Sequence, residues 1–273
     1  MRACEWTRRG GCNMSVLQSF SLEGKTALVT GGAGLYGRQI ALALARAGAR
    51  TNMTTRSRER LSELEESFGR QGVAVAAHEL DQELEESVLE LRDRLVAVHG
   101  RIDILVNNAV ARTMGSWDDP LEAFDKSMRI NATGLFAVTR AFGDVMAAEG
   151  SGSIINIGSI QGMVGPDEWL YKDMGFHGCF PDYFYHKGGM LNFTRFVASH
   201  YGPRNVRCNC ISPGGLASHR TPDAFQARYN ERTMLGRMAG EEDLAGSVVF
   251  LSSDASAYVT GANLPVDGGY TAK

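Results

Sequence analysis

The sequence predicts an α/β fold: a single doubly wound domain on a mostly parallel seven-stranded sheet, with helices on both faces. Three observations carry this. Short apolar runs of strand length alternate with longer runs of helical period from residue 25 to residue 266. The first strand candidate runs straight into a glycine-rich turn and then a helical pattern, the unit that opens many nucleotide-binding sheets. No internal repeat or low-complexity linker interrupts the alternation, which favours one domain over residues 21–273 rather than two smaller ones.

Bulk composition excludes several function classes. A chain of 273 residues with 44% hydrophobic content can bury a large core. A net charge of -3 supplies no basic field for nucleic acid or an anionic membrane. No apolar run approaches the roughly 18 residues that a spanning helix needs. The five cysteines, Cys4, Cys12, Cys179, Cys208 and Cys210, are odd in number and lack C-x-x-C spacing. They indicate neither a disulfide framework nor a zinc site, nothing else supports a metal, and a reducing, cytoplasmic setting is expected. Residues 1–20 read as a disordered extension: Arg2, Arg8 and Arg9 are not followed by an apolar stretch of signal-peptide length, and Met14 is a second plausible start.

Taken in order, residues 25–30 form the first strand, which leads into Gly31-Gly32-Ala33-Gly34-Leu35-Tyr36-Gly37 and a helical pattern over 40–47. Gly32, Gly34 and Gly37 satisfy G-x-G-x-x-G, whose glycines permit a tight turn, close approach of backbone amides to a pyrophosphate, and tight helix–strand packing. The helix N-terminus then faces the anion. Arg50–Thr55 is the second strand, followed by a charged helix to about Gly69. An NAD-selective site carries Asp or Glu at that strand's end, whereas Thr55-Arg56 stands here, which argues for NADP over NAD. Residues 73–80 form the third strand, ending at Asp81, which is expected either near an adenine or as a cap on the next helix, over 84–99.

Residues 102–106 form the fourth strand, apolar on both faces, and end in Asn107-Asn108-Ala109. The carboxyl end of a parallel strand is where ligands bind in such folds, though an ordinary loop start is the plainer alternative. A helix spans 121–148, interrupted by Asn131 and Gly134. Asn131 in an apolar helical stretch is costly unless bonded, so it serves a structural bond, a proton relay, or both. Residues 153–157 form the fifth strand, with Ser159 just beyond, placed to bond a substrate oxygen or to cap a turn. Residues 161–182, with Trp169, Tyr171, Phe176, His177 and Phe180, read as a substrate loop walling a pocket; Cys179 there is either reactive or simply buried. After the sixth strand, 206–211, Ser212-Pro213-Gly214-Gly215 breaks the chain, and Leu216 opens a second substrate loop over 216–240, a lid. A helix over 241–252 and a strand over Asn263–Val266 close the fold. Right-handed crossovers bring all the strand ends to one rim of the sheet.

Tyr183 and Lys187 stand four residues apart in a segment with helical pattern through Tyr201, so both side chains project from one face. A free phenol has a pKa of roughly 10, and a fixed cation nearby lowers it. The pair suits a general acid for a carbonyl oxygen, or a base for an alcohol proton.

Together these residues resemble the short-chain dehydrogenase/reductase family, in its short single-domain branch. The match covers about residues 21–271: Thr30-Gly31 through Gly37, Asn107-Asn108-Ala109, Asn131, Ser159, Tyr183 with Lys187, Pro213-Gly214 and Asp267-Gly268-Gly269, all in family order. The resemblance implies a Rossmann-type domain whose dinucleotide is held by these motifs and by Leu216. It also implies a tetrad: Tyr183 as acid/base, Ser159 orienting the carbonyl, Lys187 binding the nicotinamide ribose and lowering the tyrosine pKa, and Asn131 holding a relay water. A homotetramer built partly through the Tyr183 helix, or a homodimer, is implied too. Three departures stand out. Leu35 replaces a glycine usual in the short branch, Val110 replaces the glycine after Asn-Asn-Ala, and Tyr183 follows Ser159 by 24 positions, more than the family commonly has. The longer loop, with Pro213-Gly214-Gly215-Leu216, is similar to members working on sugars, polyols or sugar acids. The expected activity is hydride transfer between nicotinamide and a secondary alcohol or ketone. An epimerase or dehydratase retaining its cofactor, supported by Leu35 alone, and a non-catalytic sensor are the rival readings.

Overall fold

In a computed structural model, which describes residues 15–175 and 178–273, every strand pairing is parallel. The expected extension over 1–13, with Cys4 and Cys12, Met14, and the loop residues Phe176 and His177 lie outside the described residues. Ahead of Ser21, Gln18–Phe20 forms a 3-10 turn, and the Phe20 ring centre lies 6.1 Å from that of Phe250.

The elements are β1 (Thr26–Val29), α1 (Leu35–Arg46), β2 (Arg50–Thr55), α2 (Leu61–Gly69), β3 (Val75–Glu79), α3 (Glu85–His99) and β4 (Ile104–Asn107). There follow α4 (Leu121–Met128), α5 (Leu135–Glu149), β5 (Gly152–Ile157), α6 (Pro181–Tyr201), β6 (Val206–Pro213), α7 (Asp223–Arg232), α8 (Ala245–Ser252) and β7 (Asn263–Val266). The sheet runs β3-β2-β1-β4-β5-β6-β7, so the strand order reverses between β1 and β4. Ligands bind at such a switch point, beyond the strands' carboxyl ends. Alternation along the strands sorts the core. Ala27 and Val29 face one layer with Ile40, Leu44 and Val248, while Leu28 faces the other with Val88, Leu91 and Phe142.

The helix expected over 121–148 is broken where Asn131 and Gly134 interrupt it. Arg129–Gly134 forms a π-helical turn between α4 and α5, a local widening found often at functional sites. Glu241 and Glu242 precede the last helix rather than opening it, because Asp243 accepts from Gly240 N at 2.6 Å and pairs with Arg237 in a turn ahead of α8.

Asn107 corrects an expectation. Its side chain points into the molecule rather than at a ligand: Nδ2 donates to Asn156 Oδ1 at 2.9 Å and to Thr139 Oγ1 at 3.0 Å. Asn156 in turn donates to Thr194 Oγ1 at 2.9 Å. This buried polar rung joins β4, α5, β5 and α6, and Asn107 does not line the main cavity. Buried amides cannot give up partners without leaving unmade bonds. Asn107→Ala is therefore expected to lower unfolding free energy by about 1–3 kcal/mol while leaving dinucleotide affinity nearly unchanged. Denaturant melts beside a fluorescence titration measure both; a large loss of affinity in a stable variant would restore Asn107 to the binding set.

Candidate active site

Thr30, at the end of β1, organises the glycine turn. Its Oγ1 accepts from Asn108 N and Ala109 N, each at 3.0 Å, and Asn108 Nδ2 donates back to the Thr30 and Gly31 carbonyls, each at 3.0 Å. The turn thus clips onto the segment after β4. Gly31 has φ +65°, and a Cβ there would lie 2.7 Å from Ala109 Cα, so conformation and space both demand glycine. A Cβ on Gly37 would strike the Gly31 carbonyl oxygen and come within 2.8 Å of Asn108 Nδ2. Gly34 caps α1, and Gly32 packs against Met53 rather than facing the cavity. The first turn of α1, with Leu35 and Tyr36, opens on a cavity of about 850 Å³. Orphan N–H groups and the positive end of the helix dipole make that turn a natural seat for a pyrophosphate. The cradle, shaped where side chains are sterically forbidden, fits a dinucleotide.

At the nucleotide end, Arg56 follows β2 and lines the cavity with Thr54 and Thr55. Asp81 does not reach it. The Asp81 carboxylate instead accepts from Glu83 N at 3.0 Å, bracing the approach to α3, and Leu80 and Gln82 line the wall in its place. Gln82 is held by donating to Ile130 O at 2.9 Å, an arrangement set by the π-turn and invisible in the local pattern.

At the chemical end, α6 begins two residues before Tyr183, with Pro181 in its first turn, and presents Tyr183 and Lys187 on one face. Lys187 is 2% exposed. Its Nζ donates to Ile157 O at 2.6 Å and lies 5.6 Å from the Tyr183 ring centre. Burial pushes the ammonium's pKa down; the Tyr183 and Cys210 sites oppose that shift and Arg112 adds to it. Ser159, in extended backbone beyond β5, accepts from Gln161 N at 3.1 Å, which leaves its hydroxyl proton to be donated into the cavity. Tyr183, Ser159 and Lys187 share the cavity wall. No direct hydrogen bond between Ser159 and Tyr183 occurs among the described residues. Asn131 lies behind the wall. Its Oδ1 accepts from Ala111 N and its Nδ2 donates to Ala111 O, both at 2.8 Å, and Nδ2 also donates to Ser127 Oγ at 3.0 Å. Ser127 donates to Asp182 Oδ2 at 2.6 Å, tying the π-turn to the start of α6.

Sequence reasoning missed Arg112. Its guanidinium carbon sits 4.8 Å from the Tyr183 ring centre, and the residue lines the cavity just past Val110 and Ala111. The signal was available: it is the first cation after the Asn-Asn-Ala segment. Of the loop aromatics, Phe180 and Tyr171 line the cavity. Trp169 turns away, stacked under Arg232 at 4.7 Å and Arg228 at 5.7 Å. Cys179 stands off the wall, and burial raises its thiol pKa, the opposite of what an activated nucleophile needs. The loop is strapped to α7: Arg228 donates to the Trp169 and Lys172 carbonyls, and Arg232 pairs with Asp167 at 2.7 Å. Phe225 and Tyr229 of α7 complete the wall. Pro213, Gly214 and Leu216 line its floor, with Gly214 O accepting from Tyr36 Oη at 2.8 Å and Gly215 N donating to Tyr229 Oη at 2.5 Å.

Comparison with known proteins places this geometry. A family model described as enoyl-(acyl carrier protein) reductase matches residues 34–271. The chain is 34% identical over 265 residues to D-threitol dehydrogenase of Mycolicibacterium smegmatis, across 95% of this chain and 98% of that protein. Gluconate 5-dehydrogenase from Burkholderia cenocepacia, solved in complex with NADP and tartrate, superposes with a TM-score of 0.83 at 31% identity, covering 94% of this chain and 99% of that one. A short-chain type dehydrogenase/reductase from Mycobacterium marinum gives a TM-score of 0.83 at 30% identity, covering 95% of this chain and all of that one (100%).

One buried group beside the site serves no visible bond. His186, next to Lys187 on α6, is 5% exposed, and neither ring nitrogen has a partner among the described residues. Burial, helped by Lys187 and Arg112, lowers its pKa from 6.5 to about 3. Between those values the unfolded chain binds a proton that the native state refuses, so stability is lost as pH falls from 6.5 towards 3. His186→Leu is expected to leave stability at neutral pH unchanged or higher and to move the acid-unfolding midpoint to lower pH. Circular dichroism against pH checks this, and an unmoved midpoint would contradict it.

Proposed function

The chain belongs to the short-chain dehydrogenase/reductase family, and from that premise we propose that it transfers a hydride between a nicotinamide dinucleotide and a carbon bearing a secondary alcohol or ketone on a sugar, polyol or sugar acid. The observation that carries this reading is that Tyr183, Ser159 and Lys187 line one cavity with the glycine turn. The nicotinamide supplies or accepts the hydride. Tyr183 handles the proton: its phenol gives it to the carbonyl oxygen in reduction, and its phenolate takes it from the hydroxyl in oxidation. The Ser159 hydroxyl donates to the same substrate oxygen, fixing it beside the phenol. Lys187, anchored on Ile157 O, holds positive charge against the phenolate and bonds the nicotinamide ribose. Asn131 is a positioning residue, since its side chain is committed to Ala111 and Ser127.

Arg56 at the end of β2, with Thr55 where an NAD site has an acid, supports NADP as the preferred dinucleotide. Among the described residues no helix is long and apolar enough to cross a membrane, and we read the protein as cytoplasmic. We also read it as a homotetramer or homodimer joined partly through α6, where Tyr185 and Phe196 are 68% and 63% exposed at a spacing that puts both on one face. Light scattering decides that point, and a monomer would refute it.

Tyr183→Phe is expected to lower kcat by about a hundredfold or more with dinucleotide affinity nearly intact; a variant keeping most of its rate would remove Tyr183 from the acid role. Arg56→Ala should raise the Kd for NADP about tenfold or more and leave NAD binding nearly unchanged. Equal effects on both dinucleotides would show that Arg56 does not read the extra phosphate.

A further inference from the structure

The charges on the cavity wall are one-sided. Three cations, Arg56, Arg112 and Lys187, line it, and among the described lining residues there is no aspartate or glutamate. A concave wall of one sign draws an anion toward it. Two of the three already have work. Arg56 stands at the nucleotide end, and Lys187 is buried against Ile157 O. Arg112 remains. No carboxylate pairs with it among the described residues: Asp182, at the start of α6, is buried and takes its bond from Ser127, and Asp167 is paired with Arg232. Arg112 lies over the Tyr183 ring, at the chemical end of the cavity, and its charge pushes down the pKa values of Tyr171, His186 and Lys187.

Building on the hydride-transfer reading above, we propose that Arg112 binds the carboxylate of an acidic polyol substrate, holding it while a carbon further along the chain reacts at Tyr183. Three features prepare Arg112 for this. The guanidinium lies over the Tyr183 ring at 4.8 Å, a cation–π contact that limits its rotation and leaves its N–H edge open. The backbone beneath it is fixed, because Asn131 grips both the N–H and the carbonyl of Ala111. The contact with the tyrosine also sets the distance: an anion on the guanidinium edge and a carbonyl at the phenol belong to one short carbon chain. A carboxylate suits the site better than a phosphate ester. A planar, singly charged carboxylate matches one guanidinium fork, whereas a phosphate near pH 7 carries about -1.5 to -2 charges and would call for a second free cation.

The test uses D-gluconate and D-glucitol, which differ only in whether C1 is a carboxylate or an alcohol, with the wild-type chain and with Arg112→Ala and Arg112→Lys. Calorimetric titration of each into protein saturated with NADPH measures recognition without turnover, and NADP reduction measures the reaction. Gluconate should bind the wild type about tenfold or more tightly than glucitol. Arg112→Ala should erase that ratio and Arg112→Lys should keep part of it. Arg112 is exposed, so the variants should melt like the wild type. Equal binding of the two ligands by the wild type, or an equal loss on both in Arg112→Ala, overturns the proposal. Gluconate binding that depends on Arg112, with no NADP reduction by gluconate or by other aldonates and alditols, upholds the anion site and refutes the hydride-transfer reading alone.

Discussion

The ammonium of Lys187 is withdrawn from water, and the rest of the site is arranged around that fact. Removing such an ion from solvent costs several kcal/mol even after relaxation. The bond to Ile157 O and the nearby tyrosine ring offset part of this. The carbonyl belongs to the last residue of β5, so the lysine pins the second turn of α6 to the sheet rim. Tyr183, one turn earlier, is thereby set above the strand ends. Ser159 lies two residues past the same carbonyl. One buried charge thus fixes the relative positions of the three groups that do the chemistry.

Polar bonds carry the same helix into the core. The rung from Asn107 through Asn156 to Thr194 reaches α6 a further two turns along, and Asn131 and Ser127 reach its first turn through Asp182. A helix held only by apolar contacts can slide by small steps at little cost, whereas directional bonds at both ends resist such shifts. That rigidity suits catalysis, where small misplacements of reacting groups are expensive.

The alternation of elements and the strand–glycine–helix unit were legible because each is local: period, punctuation and the rarity of glycine-permissive turns leave marks in adjacent residues. Tyr183 and Lys187 were legible for the same reason, since one helical turn joins them. The roles of the two asparagines after β4 were not. Asn107 ends β4 and Asn108 follows it, and their side chains go opposite ways; one braces the core and the other clips the glycine turn. Pattern alone does not say which faces the ligand. Asp81 was expected near the adenine, but its carboxylate turns to Glu83 N and the neighbouring Leu80 and Gln82 line the cavity instead. Trp169 was placed in the pocket on composition, but the arginines that hold it away come from α7, dozens of residues later in the chain. Arg112 was passed over because its place just after the Asn-Asn-Ala segment marks it only weakly; its meaning comes from a tyrosine on a different element.

The arginine strap between the long loop and α7 bears on how such a chain can diversify. The guanidiniums of Arg228 and Arg232 are matched to two carbonyls and a carboxylate on the facing segment. Lengthening or replacing either segment alone would strand these partners, so the two act as one interlocked unit. Grafting both pieces together onto a related scaffold is the way to transplant this pocket's preference, while the machinery on the sheet rim stays as it was.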